Sequence, residues 1–113
     1  MTSYNKINGV HTANSADLCD RTARGEWGFH GVIMTDWTTT NWLGGSSAAK
    51  CVAAGNDLTM PGLMSDLQEI LGALHQENDQ HLSEEQLDAC AQRVVACMLR
   101  LGCREKEKCQ PQE

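Results

Sequence analysis

The stretch "GFHGVIMTDW", residues 28–37, decides how the chain is read. Val32, Ile33 and Met34 form a short apolar run between a glycine-flanked turn and the polar pair Thr35-Asp36. The run is too short for a helix and too apolar for an exposed strand. Residues 32–35 are therefore expected as a parallel strand buried on both faces. Asp36 and Trp37 then emerge from its carboxyl end. A carboxylate in that place is costly to desolvate unless it is paired or has a chemical task.

Working outward, the order strand-then-helix recurs. Upstream, "MTSYN" (1–5) reads as extended, and "KINGVHTAN" (6–14) as a turn punctuated by Asn8-Gly9. Asn14 or Ser15 caps a helix over about 16–24, which Gly25 ends. Downstream, the polar loop "DWTTTNWLGGSS" (36–47) leads to a helix over about 47–54, stopped by Gly55. A short strand over 57–60 ends at Pro61. Leu63, Leu67, Ile70, Leu71 and Leu74 then recur at helical spacing. After a polar loop, "HQENDQH" (75–81), Ser83-Glu84-Glu85-Gln86 is a capping box. It opens a last helix with Leu87, Ala91, Val94, Val95, Met98 and Leu101 on one face and Gly102 at the C-cap. The tail, "CREKEKCQPQE" (103–113), is charged and expected to fray. The alternation predicts an α/β fold with parallel strands, organised as three consecutive βα units over residues 1–102.

Composition narrows the function. The 113 residues are 41% hydrophobic and carry a net charge of -6, so a core is available but no basic stripe for nucleic acid. No apolar run reaches the ~20 residues that span a bilayer, and no charge pattern suggests a membrane anchor. The N-terminus lacks a basic segment followed by an apolar one, the mark of a signal peptide. That beginning is cytoplasm-like, but localisation stays open, because upstream sequence belongs to the question. Cys19, Cys51, Cys90, Cys97, Cys103 and Cys109 include no C-x-x-C pair. The first reading is buried free thiols acting as small hydrophobes. A disulfide, or a metal site with His75 or His81, are the alternatives.

In parallel α/β folds, chemistry gathers at the carboxyl ends of strands. Those ends offer Tyr4 and Asn5, then Asp36 and Trp37, then Met60. Asp36 is the only carboxylate that emerges directly from the carboxyl end of an apolar strand. Trp37 supplies a flat apolar face of the kind on which sugars stack, and the Tyr4 hydroxyl and a carboxylate at neighbouring strand ends can orient each other. The plainer alternatives are a loop or N-cap carboxylate for Asp36, half-buried packing for Trp37 and core packing for Tyr4. Asp57 begins its strand and reads as structural. His11 and His30 read as loop or surface residues.

Three motifs, "MTSYNKINGV" (1–10), "RGEWGFHGVIMTDW" (24–37) and "AAGNDLTMPG" (53–62), together resemble glycoside hydrolase family 3, the β-glucosidase and β-xylosidase family. The closing "LSEEQLDACAQRVVACMLRLG" (82–102) looks like the helix that ends that family's barrel domain. The resemblance implies the C-terminal part of a TIM-type (β/α)8 barrel, incomplete as a closed barrel, with no cofactor and no metal. It implies that Asp36 is the catalytic nucleophile of a retaining β-glycosidase, in the first place a β-glucosidase. Trp37 then lines the subsite of the reacting sugar, and Tyr4 matches a tyrosine near the nucleophile that can hydrogen-bond it. The substrate is a β-glucoside or β-xyloside. The family's Lys-His pair lies upstream of the matched region and its acid/base Glu downstream. Glu26, in the turn before the strand, sits at the wrong end to serve as the acid. Family members carry Ser-Asp-Trp where this chain has Thr35-Asp36-Trp37.

Eight βα units close such a barrel. Three leave strand edges and apolar helix faces open, so self-association or repacking is expected. The rival reading is a non-catalytic, truncated or degenerate module that packs or binds partners. A third is a thiol-rich metal-binding tail over residues 90–109.

Overall fold

The computed structural model describes residues 1–41, 44–76 and 82–108, with side chains as far as Gly102. The loop expected over 75–81, the second half of the 36–47 loop at Trp42 and Leu43, His81, and the thiols of Cys103 and Cys109 thus lie wholly or partly outside the described residues.

The first unit differs from expectation. Its turn closes a two-stranded antiparallel hairpin, β1 (Lys6–Ile7) against β2 (Val10–His11). Asn8 (φ 51) and Gly9 (φ 81) occupy its tip, both in the left-handed region. Asn-Gly is the pair that tolerates two successive positive φ values, and such a turn matches the twist of the flanking strands. A tight turn at Thr12–Asn14 leads into α1 (Asp17–Glu26), wound as a π-helix. Ser15 supplies the cap, its hydroxyl accepting from the Leu18 N–H at 3.2 Å. Asn14 does something else: its side chain donates to the Ser47 carbonyl at 2.8 Å and accepts the Ser47 N–H at 3.0 Å. Gly25 does not stop the helix; the chain turns off at Gly28, whose φ is +64. Residues 1–5, expected as extended, form no strand and bend at Tyr4 and Asn5; they touch the sheet through Thr2, whose N–H donates to the Met34 carbonyl at 2.8 Å.

β3 (Met34–Trp37) begins two residues beyond the expected start and carries Asp36 and Trp37 within it. It is followed by α2 (Ala48–Ala53), capped by the Ser47 hydroxyl, which accepts from the Lys50 N–H at 3.1 Å. β4 (Leu58–Met60) pairs with β3 in parallel. A cis Met60-Pro61 bond follows it. α3 (Met64–Leu74) covers the predicted 3.6-residue stripe. α4 (Glu84–Lys108) opens on the capping box: Ser83 N–H to Gln86 Oε1 at 3.1 Å, and Gln86 N–H to Ser83 Oγ at 3.2 Å.

The described residues form an α/β fold with small sheets and no closed barrel. A core of Ala49, Val52, Ala73, Leu82 and Cys90 joins α2, α3 and α4. The rest of α4 departs from expectation. Its helix runs on past Gly102, and Val95, Met98 and Leu101 stay exposed, because the body reaches only the side bearing Leu87, Cys90 and Arg93. Val32 and Met34 are half-buried instead of sealed on both faces, since β3 has one paired neighbour. Leu67 and Leu71 of α3, with Trp27 and Phe29, are also exposed.

Candidate active site

The parallel pair carries an irregularity where the candidate site lies. Met34 pairs with Leu58 and Trp37 with Met60, so β3 spends one more residue than β4 between the two pairings. Such a bulge bends the strand and breaks the alternation of side chains. It falls on Thr35 and Asp36. Thr35 is fully buried, and its hydroxyl accepts the Met60 N–H at 2.8 Å. One residue beyond Trp37, the Thr38 N–H donates to the Met60 carbonyl at 2.7 Å.

Asp36 is half-buried, and one carboxylate oxygen accepts the Trp37 N–H at 2.7 Å. Its carbonyl accepts the Thr39 hydroxyl at 2.9 Å. Thr39 is fully buried, and its own carbonyl accepts both the N–H and the hydroxyl of Ser46, at 3.1 and 3.0 Å. Gly44 packs so closely on Thr39 that any Cβ there would lie 2.1 Å from the Thr39 carbonyl oxygen. The described parts of the 36–47 loop, 36–41 and 44–47, are thus held against each other by buried hydroxyls and one obligatory glycine. Thr38 enters it in the left-handed region (φ 58), an uncommon position for a β-branched residue. Its hydroxyl donates to the Trp37 carbonyl at 2.7 Å.

The structure brings together Tyr4, Asp36 and Trp37. The Tyr4 hydroxyl donates to the Trp37 carbonyl at 2.7 Å. Loss of hydration first, then hydrogen bonding and charge from Asp36, push the Tyr4 phenol above its ordinary value. The phenol thus donates to the main chain of Trp37 instead of to the expected Asp36 carboxylate, which stays its charged neighbour. Trp37 is 56% exposed, which leaves it able to offer an indole face. A groove of about 720 Å³, bounded by Cys19, Trp27, Phe29 and Arg100, lies elsewhere and includes none of these three residues.

Asp57 plays the structural part its position suggested. Its buried carboxylate accepts from Arg24 at 2.7 Å, from Arg93 at 2.6 Å and from the Ile33 N–H at 2.9 Å. It ties the amino ends of β3 and β4 to α1 and α4. Arg24 also donates to the carbonyls of Gly31 and Gly55, both at 2.9 Å. His30 is exposed, and Glu26 is an exposed residue at the end of α1. Cys19, Cys51 and Cys90 are buried, unbridged thiols. Burial pushes Cys51 up to about 12 and Cys90 up to about 11. Among the described residues no His, Cys, Asp and Glu cluster holds metal-ligand geometry.

Sequence reasoning did not single out Thr35, Thr39, Arg24 or Arg93. The run of threonines after Trp37 was the available signal, since buried hydroxyls suit a loop whose backbone groups must be satisfied.

No family model matches the chain. Curated relatives do. A beta-glucosidase of Rhizobium radiobacter is 40% identical over 106 residues, 94% of this chain and 12% of the relative. Beta-glucosidase B of Emericella nidulans is 36% identical over 107 residues, 93% of this chain and 12% of that protein. Among solved structures, beta-glucosidase 3B from Thermotoga neapolitana, in complex with glucose, superposes with a TM-score of 0.71 at 34% identity, over 85% of this chain and 13% of that one. A GH3 beta-glucosidase of Bifidobacterium adolescentis gives a TM-score of 0.66 at 34% identity over 83% of this chain. The chain spans about an eighth of the length of these proteins. In sequence and in fold the chain belongs to glycoside hydrolase family 3, as the three motifs indicated.

Proposed function

We propose that this chain is part of a retaining β-glycosidase, in the first place a β-glucosidase, and that Asp36 is its nucleophile. The carrying observation is the position of Asp36 at the end of a parallel strand, with Trp37 following and the Tyr4 phenol beside it. The parallel β3–β4 pair and the contact of Thr2 with β3 support a reading as three βα units of a (β/α)8 barrel. That one relative is described in complex with glucose supports a sugar for the site.

In this reading an Asp36 oxygen attacks the anomeric carbon as the glycosidic C–O bond breaks, through an oxocarbenium-like transition state. An acid roughly 5 Å away protonates the leaving oxygen. Deprotonated, it then draws a proton from water, which displaces Asp36 and releases the sugar with its configuration retained. Trp37 offers an apolar platform for the ring. The acid comes from sequence outside this chain, so the 113 residues alone carry one half of a two-carboxylate mechanism.

The test is trapping. A 2-fluoro-β-glucoside with a good leaving group is incubated with a complete enzyme that contains this chain, and its peptides are weighed. The expected result is a sugar adduct on the peptide bearing Asp36. An enzyme that turns over with no adduct there, or with the adduct on another carboxylate, overturns the assignment. Absence of both turnover and adduct favours the second reading, a module that only packs or binds partners. The exposed apolar side chains of α3 and α4 are what that reading has in its favour.

A further inference from the structure

We propose that Thr35 is a positioning residue whose hydroxyl sets the aim of Asp36 by completing the β3–β4 ladder at the bulge. The inference rests on the reading of Asp36 as the nucleophile.

The extra residue in β3 leaves a defect that backbone groups alone do not fill. Between the Met34–Leu58 and Trp37–Met60 pairings, β3 has two residues and β4 has one. The Met60 N–H is the group displaced by this mismatch, and an unsatisfied N–H in a sheet is costly. It is accepted by a side chain, the Thr35 hydroxyl at 2.8 Å. On the other side of Met60 the ladder resumes in ordinary form, with its carbonyl accepting the Thr38 N–H at 2.7 Å. The segment 35–38 is thus clamped to Met60 at both ends, and Asp36 lies inside the clamp. Thr35 is fully buried with its hydroxyl on β4, while Asp36, inside the same clamp, is half-buried.

Serine and threonine both place a hydroxyl at this position, and it is the hydroxyl that closes the defect. An apolar residue of the same shape fills the space but leaves the Met60 N–H without its acceptor. Bulges beside functional residues re-aim side chains in this way.

The chain carries its own reporter of where Asp36 points. Tyr4 is the single tyrosine, and Asp36 contributes to holding its phenol above the ordinary value. Thr35→Val and Thr35→Ser are compared in the 113-residue chain. The measurements are phenol titration by absorbance near 295 nm, exchange of the Met60 amide by NMR, and thermal melting. Thr35→Val is expected to bring the Tyr4 midpoint down toward 10 and to speed Met60 exchange by about 3- to 10-fold, the worth of one hydrogen bond. Thr35→Ser is expected to hold both near the parent values. If valine leaves the titration and the exchange unchanged, the proposal fails. It fails equally if serine and valine shift both by the same amount in step with melting temperature, since that outcome reports packing alone. In a complete enzyme, valine is expected to lower kcat by about 3- to 10-fold or more with little change in KM, and serine to restore it. Parent-like kcat in the valine enzyme overturns the proposal. Labelling of a carboxylate other than Asp36 in the unsubstituted enzyme overturns the nucleophile reading itself, and the two failures are thereby told apart.

Discussion

The Tyr4 hydroxyl donates to the main-chain carbonyl of Trp37 at 2.7 Å, across thirty-three residues of sequence. This bond ties the start of the chain to the end of β3. It leaves the phenol beside the Asp36 carboxylate, which holds its proton more firmly.

Because the chain has one tyrosine, that coupling is measurable without labels. The phenol is expected to titrate above 10 in the parent chain. Asp36→Asn removes the negative charge and is expected to lower the midpoint, part of the way because loss of hydration is the larger cause. A midpoint unmoved by Asp36→Asn would show that the two groups are not neighbours in solution.

Asp36→Ala in a complete enzyme is expected to reduce hydrolysis of an aryl β-glucoside to background while leaving the far-ultraviolet dichroism intact. The isolated chain is expected to show no turnover. Near-normal hydrolysis by the variant would sink the nucleophile assignment. Turnover by the pure chain would show that the acid lies within it.

Asp57 bears more of the fold than any other carboxylate described. Its side chain is fully buried between Arg24 and Arg93. Asp57→Asn removes the charge and leaves two guanidinium groups without their counter-ion, at a cost of roughly 3–5 kcal/mol. Arg93→Gln is expected to cost less, because Arg24 and the Ile33 N–H still satisfy the carboxylate. Urea denaturation of both variants measures the order. An Asp57→Asn chain as stable as the parent would contradict the buried cluster.

The buried thiols set an alkaline limit. Cys51 and Cys90 hold their protons to about 12 and about 11 in the folded chain, against an ordinary 9.0. Unfolded, they ionise first. Their contribution to stability is therefore fully present below about pH 9 and is lost as pH rises from there toward 11–12. Denaturant midpoints taken from pH 8 to 11 are expected to fall, and Cys51→Ala with Cys90→Ala to flatten the fall. Below pH 9, iodoacetamide is expected to modify these two positions far more slowly in buffer than in urea.

Exposed apolar side chains on α4 predict self-association. Val95, Met98, Leu99 and Leu101 are all more than half exposed. Sedimentation at rising protein concentration is expected to show association, and Val95→Glu with Met98→Glu to weaken it. A monomer at every concentration would show that this face is inert.

Much of the fold was legible because it was written in local chemistry. Ser47 and Ser83 stand where helices begin, and both cap them through their hydroxyls. The leucine stripe of α3 has the helical period. The hairpin was not legible, because two-residue strands carry no alternation; Asn8-Gly9 marked a turn without naming its partners. The end of α1 was misread because Gly25 tolerates a helix, whereas Gly28 has a left-handed φ that requires leaving it. For the site, strand-end position selected Tyr4, Asp36 and Trp37. What it did not reveal was the bulge, since register is a relation between two strands and is written in neither alone. Arg24 and Arg93 were missed for the same reason: each is an ordinary helix residue until Asp57 is placed between them.

One consequence follows from the Thr2 contact. β3 is laddered to β4 on one flank, while the other flank receives the Thr2 N–H and hydroxyl at a single carbonyl, that of Met34. The carboxyl end of the strand is held as well, by the Tyr4 hydroxyl at the Trp37 carbonyl, so any swing about the paired edge is opposed by that side-chain bond. A nucleophile must be held to within about 0.5 Å of its line of attack. Any element that lays further backbone along the Thr2 flank would oppose that swing further without touching the carboxylate. Preorganisation would then be acquired by docking and lost by dissociation, so reactivity at Asp36 would report assembly of the sheet around it.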